Sequence, residues 1–242
     1  MRKWWEEPRD RLVPALDVGG LGEALALAER LGPHVGYFKV GLGLFSAEGP
    51  AAVRELSRLG RVFLDLKLHD IPATVSLACQ AVRGTGASLL TLHASGGRQM
   101  MTRARETVDG SIGLLAITVL TSLGDQEVKC ELGLSRSARD QVLFLAEHAL
   151  EAGLDGVVAS PSDAQALRDA FGSDFLLVTP GVRPRASDVH DQKRVATPEE
   201  AIASGADLLV VGRPILQAPD PVEAVMMLRR QVEEAMRRGS TR

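Results

Sequence analysis

Short apolar runs alternate with amphipathic segments along almost the whole chain. Eight of these runs are rich in Val, Leu and Ile and have the length of strands. They fall at 12–17, 36–40, the start of 61–74, 88–93, 113–119, 156–160, 175–179 and 207–211. Their nearly continuous apolar character is typical of strands buried on both faces, as in a parallel sheet.

The segments between the strands carry apolar residues at the three- and four-residue spacing of amphipathic helices. Glycine or proline ends most of them, as Gly32 and Pro33 do for the first. The predicted helices cover 21–31, 49–59, 72–83, 97–108, 137–151, 161–171, 198–204 and 221–237. The polar segments 122–134 and 180–194 are interpreted as loops, the first with some helical character.

Eight strands, each followed by a helix, within 242 residues predict an α/β protein with a closed (β/α)8 TIM barrel. We expect residues 1–242 to form this single domain, with 1–10 as a peripheral leader and 238–242 as a peripheral tail. The rival architecture is an open, doubly wound sheet. It is disfavoured because no G-x-G-x-x-G follows the first strand.

Composition and charge narrow the possible partners. The chain is 45% hydrophobic and 24% charged, which is ordinary for a soluble globular protein. A net charge of −3 gives no bulk basic field, so we predict no nucleic-acid partner and no membrane partner. No apolar run reaches the length of a membrane span, and the amino terminus lacks a signal-peptide core. Cys79 and Cys130 are far apart and fit reduced thiols, so the expected location is cytoplasmic.

The segment 61–74 breaks the apolar pattern. Asp65 and Lys67 are two residues apart, so in a strand both side chains point to the same face. Asp70 follows at the turn into the next helix. Charges near the end of a buried strand cost stability unless they pair or have a function. The structural alternative is an ion pair followed by a helix cap.

Other polar residues follow predicted strand ends, namely Asp17, Lys39, His93 and Thr121. The active sites of barrel enzymes lie at these carboxyl ends. The chain has only five lysines, and it keeps Lys39 and Lys67 at two such ends. Structural interpretations remain open: Asp17 can cap a turn, Lys39 can extend to the rim, and His93 can be a near-core histidine.

The loops after the last two strands carry a candidate phosphate site. Gly212 allows a backbone amide to approach an oxyanion, and Arg213 can make a bidentate contact. The loop after the seventh strand adds Arg183 and Gln192, and it could close over a ligand. Barrels often bind phosphate with these two loops. A plain strand-to-helix turn is the alternative.

Lysines and aspartates facing one another suit a reaction that develops negative charge on carbon. A preplaced ammonium stabilises that charge and can then donate its proton. The histidines lack metal-ligand spacing, no G-x-S-x-G is present, and no cofactor motif is visible. The residues therefore indicate a cofactor-independent lyase or isomerase, without a metal, that acts on a small phosphorylated molecule.

A family resemblance sharpens this hypothesis. The segment 63–74 reads FLDLKLHDIPAT and resembles the signature of the orotidine 5'-phosphate decarboxylase family, most closely its bacterial branch. Further blocks occur in family order along nearly the whole chain. They are ALD at 15–17, KVG at 39–41, HA at 93–94 with GG at 96–97, TVLTS at 118–122, VTPGVRP at 178–184 and VGRP at 211–214.

The resemblance implies decarboxylation of orotidine 5'-phosphate to UMP without a cofactor, and a role for each matching residue. Lys67 would protonate C6 of the pyrimidine, and Asp65 would lie beside the departing carboxylate. Lys39 would join the charged network, Asp17 would bind the ribose, and Thr121 would bind near the base. The implied phosphate-binding residues are Arg183, Gln192, Gly212 and Arg213.

The resemblance also implies a homodimer with shared active sites, because the matching residues Asp70, Ile71 and Thr74 would reach into the neighbouring subunit's site. One departure is Ala73, where the family commonly has Asn. Two other readings remain open. One is a sugar-phosphate decarboxylase or aldolase of the same barrel superfamily, which generally needs Mg²⁺. The other is a catalytically inactive nucleotide-binding barrel.

Overall fold

All eight predicted strands form and lie in one parallel sheet. The computed structural model describes residues 6–183 and 196–239. Its strands are β1 (Leu12–Pro14), β2 (Tyr37–Val40), β3 (Arg61–Leu68), β4 (Ala87–His93), β5 (Gly113–Ile117), β6 (Gly156–Val158), β7 (Leu176–Thr179) and β8 (Leu208–Val211). Their order in the sheet is β1-β8-β7-β6-β5-β4-β3-β2.

Helices follow the strands and cover the outside of the sheet. They are α1 (Leu21–Leu31), α2 (Leu42–Glu48), α3 (Pro50–Ser57), α4 (Pro72–Val82), α5 (Arg98–Val108), α6 (Asp125–Cys130), α7 (Ala138–Glu151), α8 (Ala164–Phe171), α9 (Pro198–Ala203), α10 (Arg213–Leu216) and α11 (Pro221–Gly239). In the described ranges, no helix is both long and apolar enough to cross a membrane.

The sheet closes on itself between its first two strands. β1 pairs with β8 on one side, and Ala15 forms a parallel bridge with Lys39 on the other. The Leu16 N–H donates a 2.9 Å hydrogen bond to the Lys39 carbonyl. This closure confirms the predicted TIM barrel and excludes the open doubly wound sheet.

The two-residue period of the strands separates two cores. One set of strand side chains fills the inside of the barrel. It comprises Val13, Ala15, Tyr37, Phe63, Leu89, Leu115, Ile117, Val158, Leu176, Val178, Leu208 and Val210. The alternate residues, such as Leu12, Leu64 and Leu90, pack between the sheet and the helices. Burial on both sides explains why the strands are apolar throughout.

The amino end of the barrel is filled by side chains. Arg61 Nη2 lies 2.8 Å from Asp10 Oδ1, and the Arg61 guanidinium lies 4.5 Å from the centre of the Tyr37 ring. Tyr37 is buried, and so is Phe63, which also fills the barrel interior. A ligand therefore approaches the barrel interior from the carboxyl end of the strands.

The largest local difference from the prediction is an unpredicted helix, α2, which lies between β2 and Gly49. The predicted helix over 49–59 forms as α3. Gly49 has a φ of +61°, a conformation that favours glycine, and Pro50 starts α3. The short α10 was not predicted either. Most of the predicted loop 180–194 lies outside the described residues.

Candidate active site

A cavity of about 490 Å³ opens at the carboxyl ends of the strands. Its apolar wall includes Ile117, Val119 and Val158. Its charged and hydroxyl-bearing wall consists of Asp17, Lys39, Asp65, Lys67, Thr121, Arg183 and Arg213. Seven of the residues predicted for the site therefore come together, with Gly212 as an eighth. The sequence places them on six different strand ends or loops, and only closure of the barrel brings them together.

The carboxyl end of β3 departs from regular strand geometry. Leu64 pairs with Leu90, but the next paired residue is Leu68 with Leu92, so four steps along β3 match two along β4. Lys67 has a φ of +50° within this irregular segment. Such a conformation is unfavourable for a residue with a side chain, and strained backbone of this kind clusters at functional sites.

The charged side chains form a row of alternating sign. Lys67 Nζ lies 2.7 Å from Asp65 Oδ2, and Lys39 Nζ lies 3.6 Å from the same oxygen. Lys39 Nζ also lies 3.3 Å from Asp17 Oδ1. The Lys39 and Asp65 side chains are nearly buried, whereas Asp17 is mostly exposed at the rim. Each inner charge therefore has a neighbour of opposite sign.

The pKa of Asp65 is lowered from its ordinary value. Burial is the largest single influence and by itself raises the pKa. The charges of Lys39 and Lys67, together with hydrogen bonds donated by Lys67 and Thr91, outweigh burial. The carboxyl is therefore held as a carboxylate inside the barrel.

Two residues outside the predicted set shape this row. Thr91 on β4 is fully buried, and its hydroxyl lies 2.9 Å from Asp65 Oδ1. Gly41 follows β2, and a Cβ there would lie 2.7 Å from Lys39 Nζ and 2.8 Å from Asp17 Oδ1. A larger residue at Gly41 would displace that ion pair. The sequence places Thr91 only on the same strand face as His93, two residues further on, which does not indicate a contact with Asp65.

His93 lies beside the charged row but does not line the cavity. Its ring is tilted against that of His69, with 5.1 Å between the ring centres. Burial lowers the pKa of His93, and the nearby His69 and Lys67 lower it further. The imidazole is therefore favoured in its neutral form.

The candidate phosphate end lies across the cavity mouth. Gly212 is the N-cap of α10, and a Cβ there would lie 4.0 Å from Asp17 Oδ2. Arg213 occupies the first turn of α10. Arg183 is nearly buried, and its backbone N–H donates a 3.0 Å hydrogen bond to the Ala196 carbonyl. The predicted Gln192 lies outside the described residues.

Three of the predicted site residues lie just after β3, in the turn into α4 and in the first turn of that helix. Asp70, Ile71 and Thr74 are exposed, and none of them lines the cavity of this chain. Asp70 Oδ1 accepts a 2.6 Å hydrogen bond from the Ile71 N–H, which fixes the start of α4. The turn forms with Ala73 in place of the family's usual Asn.

The comparisons with known proteins agree with this architecture. Residues 10–228 match the family model described as "Orotidine 5'-phosphate decarboxylase / HUMPS family". The orotidine 5'-phosphate decarboxylase of Moorella thermoacetica is 48% identical over 234 residues, which cover 93% of each chain. That of Geotalea daltonii is 46% identical over 92% of this chain and 96% of its own.

Solved structures give the same result. The orotidine 5'-phosphate decarboxylase of Lactobacillus acidophilus superposes with a TM-score of 0.81 at 35% identity, over 91% of this chain and 98% of its own. An uncharacterized conserved protein from Geobacillus kaustophilus has a TM-score of 0.80, also at 35% identity. The match of sequence and fold over nearly the whole length establishes that this chain belongs to the orotidine 5'-phosphate decarboxylase / HUMPS family.

Proposed function

We propose that this protein is an orotidine 5'-phosphate decarboxylase, a carboxy-lyase that forms UMP and CO2 in de novo pyrimidine biosynthesis. The observation that carries the proposal is the ion pair between half-buried Lys67 and buried Asp65, 2.7 Å apart, in the wall of the cavity. The names of the curated relatives support the same reaction.

The positions of the charged groups support one orientation of the substrate. The phosphate lies at Gly212 and Arg213, with Arg183 from the preceding loop, and Gln192 is proposed for the same role from the sequence alone. The ribose lies at Asp17, next to Lys39, and Thr121 contacts the region of the base. The carboxylated carbon of the pyrimidine then faces Asp65 and Lys67.

The reaction in this orientation needs no cofactor. The bond between C6 and the carboxylate breaks, CO2 leaves, and the electron pair stays on C6. The Lys67 ammonium stabilises the developing carbanion because it is held in place by Asp65 before the bond breaks. Lys67 then donates a proton to C6 and recovers one from water. Asp65 adds a second negative charge beside the carboxylate that leaves.

The surface around α4 supports a homodimer with shared sites. Ile71 is 66% exposed and Leu77 is 64% exposed, although both are large apolar residues. They lie near Asp70 and Thr74 on the same turn and helix. A second copy that covers this surface would remove the apolar area from water and receive Asp70 into its own site. We propose this arrangement for a cytoplasmic enzyme that needs neither nucleic acid nor a membrane.

Turnover in the presence of a chelator tests the reaction against its main rival. The family description names HUMPS beside the decarboxylase, and the rival sugar-phosphate enzymes generally need Mg²⁺. We expect the pure protein to consume orotidine 5'-phosphate, followed by ultraviolet absorbance, at the same rate with and without EDTA. Loss of activity that Mg²⁺ restores would favour the rival. No turnover by folded protein would leave only a binding function.

Replacement of Arg213 tests the proposed phosphate site. For Arg213→Ala we expect kcat/KM to fall by roughly 100-fold or more, because charged hydrogen bonds to the phosphate are lost. Arg213→Lys should recover part of this loss, since it keeps the charge but not the bidentate geometry. Steady-state kinetics provide the measurement. The control is Arg58→Ala, which removes an exposed arginine paired with Glu55 and should behave like the natural enzyme. Equal effects of both changes would contradict the assignment.

A further inference from the structure

The strained backbone of Lys67 is held by a side chain of the neighbouring strand. Lys67 and Asp109 are the non-glycine residues with positive φ among those that the structure describes. Because the β3–β4 pairing breaks between Leu64 and Leu68, the Lys67 N–H is not part of a regular ladder. It donates instead to Thr91 Oγ1 at 2.8 Å. The Thr91 hydroxyl thus replaces the missing backbone partner.

The same hydroxyl also fixes the Asp65 carboxylate. Thr91 Oγ1 donates to Asp65 Oδ1 at 2.9 Å, while Oδ2 accepts from Lys67 Nζ at 2.7 Å. A hydroxyl has one hydrogen and two lone pairs, so it can accept from Lys67 and donate to Asp65 at once. Rotation of the carboxylate would break one of the two contacts. Each oxygen of the Asp65 carboxylate therefore has its own hydrogen-bond donor.

Thr91 and Asp65 are both buried, so their polar groups depend on these hydrogen bonds. Thr91 is 0% exposed, and Asp65 is 8% exposed. Without the hydroxyl, one carboxylate oxygen and one backbone N–H would lose a partner in a site with little access to water. Movement of Asp65 or of the Lys67 backbone would relieve this loss. Either movement changes where the Lys67 ammonium lies.

We propose that Thr91 is a positioning residue of the active site, whose hydroxyl links the Asp65 carboxylate to the Lys67 backbone and so sets the place of the Lys67 ammonium. This inference rests on the proposed decarboxylase function of the Lys67–Asp65 pair. Thr91 does not line the cavity, so it acts through its two neighbours.

Thr91→Val tests the proposal, because valine keeps the shape and removes the hydroxyl. We expect kcat for orotidine 5'-phosphate to fall about ten- to hundredfold, as for the loss of a hydrogen bond to a charged group. The KM should stay close to that of the natural enzyme, since the phosphate contacts are intact. Thr91→Ser, which restores the hydroxyl, should recover most of kcat.

A matched control removes a buried hydroxyl from the other end of the same strand. Thr85 precedes β4, is 5% exposed, and donates to the Val82 carbonyl at 2.7 Å. Thr85→Val should lower the melting temperature but leave kcat unchanged. A kcat loss of the same size in both variants would mean that Thr91 has a merely structural role.

The outcomes separate this inference from the proposed function. A natural enzyme that turns over its substrate, with a Thr91→Val variant of equal kcat, would overturn the inference and leave the function standing. A natural enzyme without turnover would remove the function itself. If Thr91→Val does not fold, Thr91→Cys decides in the same way, because its thiol is a weaker donor of similar size.

Discussion

The Lys67→Ala enzyme is expected to convert orotidine 5'-phosphate roughly 10⁴-fold more slowly than the natural enzyme, or slower still. The change removes the ammonium that lies 2.7 Å from Asp65 and, with it, the proposed proton donor to C6. Lys39 cannot take over this role from its place, since it lies between Asp65 and Asp17. The measurement is kcat under saturating substrate.

The fold should survive this change. Asp65 keeps Lys39 at 3.6 Å and the Thr91 hydroxyl at 2.9 Å, so the buried carboxylate is not left alone. Binding of UMP should change by less than about tenfold, because the phosphate contacts are remote from the substitution. Lys129→Ala removes an exposed lysine of α6 and serves as the control, with natural activity expected.

Lys67→Arg separates the two functions proposed for the lysine. Arginine keeps the positive charge next to Asp65, but its guanidinium does not release a proton at neutral pH. We expect this variant to remain nearly as inactive as Lys67→Ala if proton donation is essential. A Lys67→Ala enzyme that retained more than about a tenth of kcat would contradict a role as general acid.

The barrel could be predicted because the same apolar strand pattern occurs eight times along the chain. Each strand has apolar residues on both faces, since one set fills the barrel interior and the other packs under the helices. The charged residues at the strand ends were predictable for the same reason, because they interrupt runs that are otherwise apolar. Lys39, Asp65 and Lys67 stand out in this way without any knowledge of their contacts.

The sequence could not reveal those features of the site that depend on how β3 pairs with β4. Asp65 and Lys67 do share a face, as their spacing predicts, but the strand is irregular between them and Lys67 has a positive φ. The contact of Thr91 with both residues follows from that irregularity. A single threonine among leucines indicates only a strand former. The shift of pairing after Leu64 has no local sequence signature.

Mixing inactive Lys67→Ala and Asp70→Ala proteins is expected to restore activity. In the proposed dimer, each site uses Lys67 of one subunit and Asp70 of the other. A hybrid dimer then carries both lesions in one site and leaves the second site intact. Random exchange makes half of the dimers hybrids, so about a quarter of all sites should be active.

The geometry of the β3–α4 turn is the reason for this expectation. Asp70 lies three residues after Lys67 but does not line the cavity of its own chain. It is exposed, and one of its carboxylate oxygens accepts from the Ile71 N–H, which leaves the other available to a neighbouring subunit. The turn thus directs Lys67 inward and Asp70 outward.

A second mixture provides the control for the exchange experiment. Lys67→Ala with Asp65→Ala places both lesions in sites of the same kind, so each hybrid site lacks one essential group and no activity should return. Subunit exchange is verified in both mixtures with two tags of different mass. If exchange is complete and the Lys67→Ala and Asp70→Ala mixture stays inactive, Asp70 acts within its own subunit. Recovery in that mixture alone is the result that a site shared between subunits requires, because no single chain in it carries both groups.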